Sequence, residues 1–213
     1  MSPLDVRVRN VAPDHDIDTF LARAVGWILF VGGAIGTAAA FALTLDRISL
    51  LEDPEFVPAC SIDPVLSCGS IMTSPQSELL GFPNPLIGLV AFPVVATIGV
   101  AVVGGAALPR WMWLGLQAGA SAGMLFVHWL IGQSLYVIGA LCPYCMAVWV
   151  VTISVFWYTT LYNLTAGRFC WRGATRLGAR FADYHGAVLA AWLLAVALLV
   201  VVRFWPYWAG LLG

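Results

Sequence analysis

Two cysteines three positions apart, Cys142 and Cys145 in Leu141-Cys142-Pro143-Tyr144-Cys145-Met146, stand at the start of a long apolar run. Three positions are close to one helical turn, so both sulfurs can face the same way. At a helix N-terminus the dipole favours the thiolate, and the thiolate is the nucleophile of disulfide exchange. Pro143 suits the first turn of such a helix, where its missing N–H has no helical partner to lose. A second pair, Cys60 and Cys68, lies in the polar stretch 46–84. That stretch is acidic, with Asp46, Glu52, Asp53, Glu55, Asp63 and Glu78 against Arg47, and it is rich in proline and serine. A connection of this length without strong periodicity is usually functional. Within it, Ser67 to Met72 reads as a short interfacial helix. The fifth cysteine, Cys170, sits among arginines with no second thiol beside it and reads as incidental.

The elements that must position these pairs are set by composition. Of 213 residues 61% are hydrophobic and 10% charged, whereas a soluble domain is about half apolar and a quarter charged. The chain reads as an all-α integral membrane protein, and nothing in its charge points to nucleic acid. Residues 21–45, 85–108, 111–139, 142–164 and 187–205 are each long and apolar enough for a transmembrane helix of about 20 residues. Pro93 falls inside the second span and is expected to kink it. Residues 1–20 read as a polar cytoplasmic tail; an acidic leader before so long an apolar run is unlike a cleaved signal peptide. Residues 21–164 form one unit of four spans with the 46–84 loop, 165–186 an arginine-rich loop, and 187–213 a fifth span closed by Pro206-Tyr207-Trp208. All ten basic residues are arginine, with no lysine. Arg110 follows span two, and Arg168, Arg172, Arg176 and Arg180 follow span four. Positive charge marks the cytoplasmic side. The N-terminus and these two connections are therefore expected inside, and the 46–84 loop, the Cys-x-x-Cys and the C-terminus outside. The four-arginine loop reads as a topology signal and a contact for anionic lipid.

Two cysteine pairs on the oxidising side suggest a redox relay. Two structural disulfides are the plainer alternative, since such bonds are common outside the cytoplasm. However, a Cys-x-x-Cys loop is too small to constrain the chain much. Zinc is a third reading, but Cys-x7-Cys is a poor spacing for it and no histidine lies nearby, so no metal is expected. A relay needs an electron sink, and Cys142 and Cys145 begin a span that enters hydrocarbon. A membrane quinone, menaquinone or ubiquinone, can reach them there and takes the two electrons a dithiol releases. Asn84, between Pro83 and Pro85, lies near the same depth. It reads either as a donor to a quinone carbonyl or as an interfacial turn or helix cap. His128 sits mid-span with no partner visible in sequence, and an ionisable residue there is a functional candidate. Trp149, Phe156, Trp157 and Tyr158 read as packing or belt residues.

Taken together, the pattern resembles the vitamin K epoxide reductase family in its bacterial form, over about residues 20–165. The resemblance rests on an ordered set: the first span, Cys60-x7-Cys68, Ser74 six residues on, Asn84-x3-Gly88 opening span two, and Cys142-Pro143-Tyr144-Cys145 opening span four. It implies a four-helix bundle around a quinone with the loop folded over its mouth. Cys142 and Cys145 would be the active-site pair, with Cys145 facing the quinone. Cys60 would meet a partner protein, and Cys68 would pass the disulfide on through a bond to Cys142. Asn84 would bind the quinone, and Ser74 would lie near the site. The implied partner is a thioredoxin-like extracytoplasmic thiol oxidase that makes disulfides in exported proteins. Many relatives carry that domain fused; this chain ends at Gly213, so a separate protein is expected. Vertebrate relatives have tyrosine where Trp149 stands, so thiol oxidation is expected here rather than epoxide reduction. A DsbB-type oxidase, also quinone-linked, has the close pair first and the wide pair second, the reverse of this order.

Overall fold

A bilayer offers no partner to a free backbone N–H or C=O, so an apolar chain must satisfy them within each segment, as helices. The computed structural model describes residues 14–79, 81–169 and 173–212. Its helices are α1 Asp14–Glu52, α2 Cys68–Met72, α3 Pro85–Val103, α4 Arg110–Gly132, α5 Pro143–Thr165, α6 Ala174–Ala182, α7 His185–Arg203 and α8 Trp205–Leu212. A 3-10 turn, Pro75–Glu78, follows α2, and a π-helical turn, Gln133–Ile138, extends α4. Segments of α1, α3, α4 with its π turn, α5 and α7 are long and apolar enough to cross a membrane. The chain is an all-α, multi-pass membrane protein.

Two elements differ from the expected spans. First, α1 has 39 residues, about 58 Å at 1.5 Å per residue, against a hydrocarbon core of about 30 Å. Its last turns carry Asp46 and Arg47 out of the apolar region as helix, not as loop. The helix stops before Pro54, which disfavours helical backbone in the residue ahead of it. Second, α7 ends at Arg203, and Pro206-Tyr207-Trp208 belongs to a separate short helix, α8. Pro206 is tolerated there because it falls in the first turn. Pro93 stays within α3. Residues 1–13, Cys170 and Arg172 lie outside the described residues.

In the bundle α1 packs on α3 and α5, and α5 packs on α4. Small residues bring α1 and α3 together: a Cβ on Gly33 would lie 2.5 Å from the Ala96 nitrogen, and one on Gly99 would run into the Phe30 backbone. Polar side chains join α4 to α5, as expected where lipid drives no apolar association. Gln117 Nε2 donates to Thr160 Oγ1 at 2.8 Å, and Asn163 Nδ2 donates to Gln117 Oε1 at 3.2 Å.

Gly99→Ala is expected to lower stability by about 2 kcal/mol through overpacking of backbone on backbone. Gly119→Ala should not, because its added Cβ meets nothing within 4 Å. Thermal unfolding of both variants in detergent checks this, and equal losses would show that the α1–α3 contact is not the tight one.

Candidate active site

The four cysteines outside the arginine loop are gathered by a short piece of backbone pairing. Gly139 closes the π turn with φ 73, a left-handed conformation that glycine adopts at little cost. The chain therefore leaves the helix, and residues 140–142 run extended until α5 starts at Pro143. Here Leu141 forms an isolated parallel β-bridge with Leu66 of the loop. Leu141 N donates to Val65 O at 2.7 Å, and Ser67 N donates to Leu141 O at 2.9 Å. Immediately beyond the bridge, Ser67 caps α2 by accepting from Ser70 N, so Cys68 opens one short helix while Cys142 caps another.

This register brings sulfur to sulfur. Cys60 and Cys68 form a disulfide, and Cys142 and Cys145 are thiols. Cys142 Sγ lies 3.0 Å from Cys68 Sγ, with both residues fully buried. Leu43, Met72 and Cys60 close over them. Cys60, Cys68 and Cys142 sulfurs lie within 4.8 Å of one another. With Cys60 and Cys68 joined, these two sulfurs are not thiolates, the form in which cysteine ligates zinc. Cys60 is itself buried, so an incoming thiol reaches it only if the loop lifts. Asp46, from the last turns of α1, has Oδ2 3.9 Å from Cys60 Sγ.

Cys142 stands at the N-cap of α5, beside the Tyr144 and Cys145 backbone N–H groups. Cys145, one turn along α5, is half-buried and lines a cavity of about 590 Å³ between α1, α3, α4 and α5. The walls are almost wholly apolar, with Leu43, Val95, Leu116 and Trp149 from the four helices. Val90 and Val94 of α3 line it yet are exposed, so it reaches the lipid-facing surface between α3 and α4. Gly115 and Gly119 keep the α4 side open.

Asn84 and Ser74 line the same cavity. Asn84 stands at the start of α3, but its side chain does not cap that helix. Instead Nδ2 donates to Gln76 O at 2.7 Å, and Oδ1 accepts from Leu79 N at 3.2 Å. An amide nitrogen has two N–H groups, which leaves one for a ligand. Ser74 Oγ donates to Ile71 O at 2.7 Å and so fixes the turn leading to Asn84. Arg47 pairs with Glu78 and ties this turn to α1. The residues present suit a quinone: an apolar slot of the size ligand pockets take, one amide donor, and a thiol on the wall.

His128 lies apart from the cavity. Trp192 Nε1 of α7 donates to its Nε2 at 3.3 Å, and its Nδ1 lies 3.0 Å from Met124 O. Since indole only donates, Nδ1 carries the proton and His128 fastens α4 to α7. Two residues away from the cavity carried no sequence signal for their partners. Tyr207 of α8 donates to Asp63 Oδ2 at 2.6 Å, while Asp63 Oδ1 accepts from Val65 N and Leu66 N at 2.9 Å each. The Tyr207 hydroxyl, ahead of these backbone bonds, holds the Asp63 carboxyl below its ordinary range, and Tyr207 is pushed up in return. The Asp63-Pro64 dipeptide announces a turn, but nothing in sequence links it to Tyr207.

No solved structure matches the chain. The model of the vitamin K epoxide reductase family matches residues 27–160, a stretch that runs from α1 into α5 and takes in Cys60, Cys68, Asn84, Cys142 and Cys145. With this match and two cysteine pairs gathered at the mouth of an apolar membrane cavity, the chain belongs to the vitamin K epoxide reductase family, a family of membrane thiol oxidoreductases.

Proposed function

We propose that this protein makes disulfides by carrying electrons from a thioredoxin-like dithiol protein, through Cys60–Cys68 and then Cys142–Cys145, to a membrane quinone. One observation carries the reading: the Cys142 sulfur lies 3.0 Å from Cys68 of a formed disulfide, while its neighbour Cys145 lines an apolar cavity. Reacting atoms about 3–3.5 Å apart are at near-attack distance.

The partner's thiolate attacks Cys60 Sγ, the Cys60–Cys68 bond breaks, and Cys68 leaves as a thiolate. The partner's second thiolate resolves the mixed disulfide and releases Cys60. With the inner pair oxidised, Cys68 attacks Cys142 Sγ and frees Cys145. Cys60 then attacks Cys68 Sγ, re-forms the outer disulfide and releases Cys142. Two electrons have moved inward, and the inner pair is a dithiol. One disulfide outside and one dithiol inside, the pairing seen here, is the product of that step. Asp46, with Oδ2 3.9 Å from Cys60 Sγ, is placed to hold the Cys60 proton between steps. When bound, a quinone takes up two electrons and two protons from the inner dithiol. Asn84 would donate its remaining N–H to a quinone oxygen, with Gln76 and Leu79 holding the amide in place, and Ser74 would support that turn. The arginine distribution supports a cytoplasmic N-terminus and a redox end facing an oxidising compartment, as in the bacterial plasma membrane.

Quinone reduction by the purified protein in detergent, driven by a reduced thioredoxin-like protein, tests the reading. Wild type should turn over, and Cys145→Ala should lose more than about 100-fold. Cys60→Ala should be dead with the protein dithiol but active with dithiothreitol. Asn84→Ala should raise the quinone KM by roughly tenfold, the worth of one hydrogen bond. Inert wild type with all four cysteines still bonded under mild reductant would make the pairs structural and end the proposal.

A further inference from the structure

The segment Arg203–Trp208 lies beyond the family match, yet it holds both sides of the Leu66–Leu141 bridge. On the loop side, Tyr207 donates to Asp63 Oδ2, and the other Asp63 oxygen accepts the Val65 and Leu66 backbone N–H groups. These residues are the ones that pair with Leu141. On the other side, Arg203 Nε donates to Leu135 O at 2.8 Å, in the π turn just before Leu141. Between the two clasps, Phe204 and Trp208 pack in one cluster with Val65, Leu66 and Leu141. The chain from Tyr207 to the reacting sulfurs is therefore continuous: hydroxyl, carboxylate, two backbone amides, bridge, then Cys68 and Cys142.

We propose that the Tyr207–Asp63 hydrogen bond is a latch in which both are positioning residues, holding the loop in the register that lets Cys68 and Cys142 exchange. Neither residue touches the sulfurs or lines the cavity. With the latch closed, the outer disulfide is buried against Cys142, and Cys60 is covered. With it open, the loop is free to turn Cys60 toward a partner. The latch rests on the relay reading above for its purpose, but its action on the two sulfurs can be measured without any quinone or partner.

The experiment uses the full chain with Cys145→Ser. In it the Cys142 thiolate can attack Cys68; the Cys68–Cys142 bond forms, the Cys60–Cys68 bond breaks, and Cys60 leaves as the thiolate. Charge and electrons balance, and no oxidant is needed. The reaction is started by a jump to alkaline pH, quenched with acid, and read as alkylated Cys60 by mass spectrometry. Tyr207→Phe, which keeps the ring and loses the hydroxyl, should slow this exchange roughly tenfold, the loss of one hydrogen bond to a charged group. Asp63→Asn should slow it to a similar degree, and the double variant should add little to either single change, because both remove one shared bond. With Cys145 restored, Tyr207→Phe should leave dithiothreitol-driven quinone reduction and the unfolding temperature unchanged. An unaltered exchange rate in Tyr207→Phe overturns the latch. So does a fall in exchange, dithiothreitol-driven turnover and unfolding temperature together, which would make the bond a general support of the fold. Additive losses in the double variant also overturn it. Failure of the relay reading looks different: wild type would not reduce quinone at all, whatever the exchange rate.

Discussion

Two backbone hydrogen bonds between Leu141 and residues 65–67 set the geometry on which the chemistry depends. Cys68 and Cys142 are 74 residues apart in the chain, and exchange between them needs a separation near 3 Å. Side-chain packing alone would leave a long loop free to slide. A bridge fixes register, because in an extended pair a slip of one residue reverses which way each side chain points. Here it leaves Cys68 two residues past Leu66 and Cys142 one residue past Leu141, each at the head of a helix. The π turn, Gly139, the Asp63 turn and the Ser67 cap all serve to present those few extended residues to each other.

Once that pairing is made, the two inner thiols fall into different surroundings. Cys142 caps α5, where backbone N–H groups converge, and its sulfur faces a disulfide. Cys145, one turn further in, lies on the wall of an apolar cavity open to lipid. A single helical turn thus separates a thiol suited to disulfide exchange from one suited to a lipid-soluble electron acceptor. The cavity opens between α3 and α4, which pack less closely on each other than either does on its other neighbour. Close α1–α3 contact through Gly33 and Gly99, and the polar α4–α5 ladder, hold the other walls together around the gap.

Much of this was readable from local pattern. Five apolar runs, Pro143 at a first turn and a short helix near Ser67 to Met72 need only short-range rules, and the structure has each of them. What was not readable is non-local. The end of α1 at Glu52 was hidden because Asp46 and Arg47 look like loop residues, yet they continue a helix that has left the bilayer. Asn84 presented two readings; in the structure its amide grips the preceding turn and makes no cap bond to α3, while the residue lines the cavity. His128 looked unpartnered because Trp192 is 64 residues away. The bridge leaves no trace either, since one leucine opposite another carries no spacing to recognise.

The fifth span bears on a conflict built into any such relay. Cys60 must be covered while electrons pass inward, so that Cys68 meets only Cys142, and it must be reachable while electrons arrive. A loop sealed by a large apolar contact would satisfy the first need and defeat the second. A hold made of one hydroxyl on one carboxylate is different, since such a bond can be exchanged for bonds to water. Opening such a contact costs little enough to occur within a catalytic cycle, yet closed it is strong enough to bias the register. Tyr207 and Asp63 meet this requirement because both lie at the aqueous end of the bundle, beyond the spans. Under the proposed latch, the bundle that forms the cavity need not move for the loop to open, and the timing of exchange would be left to a contact at its edge.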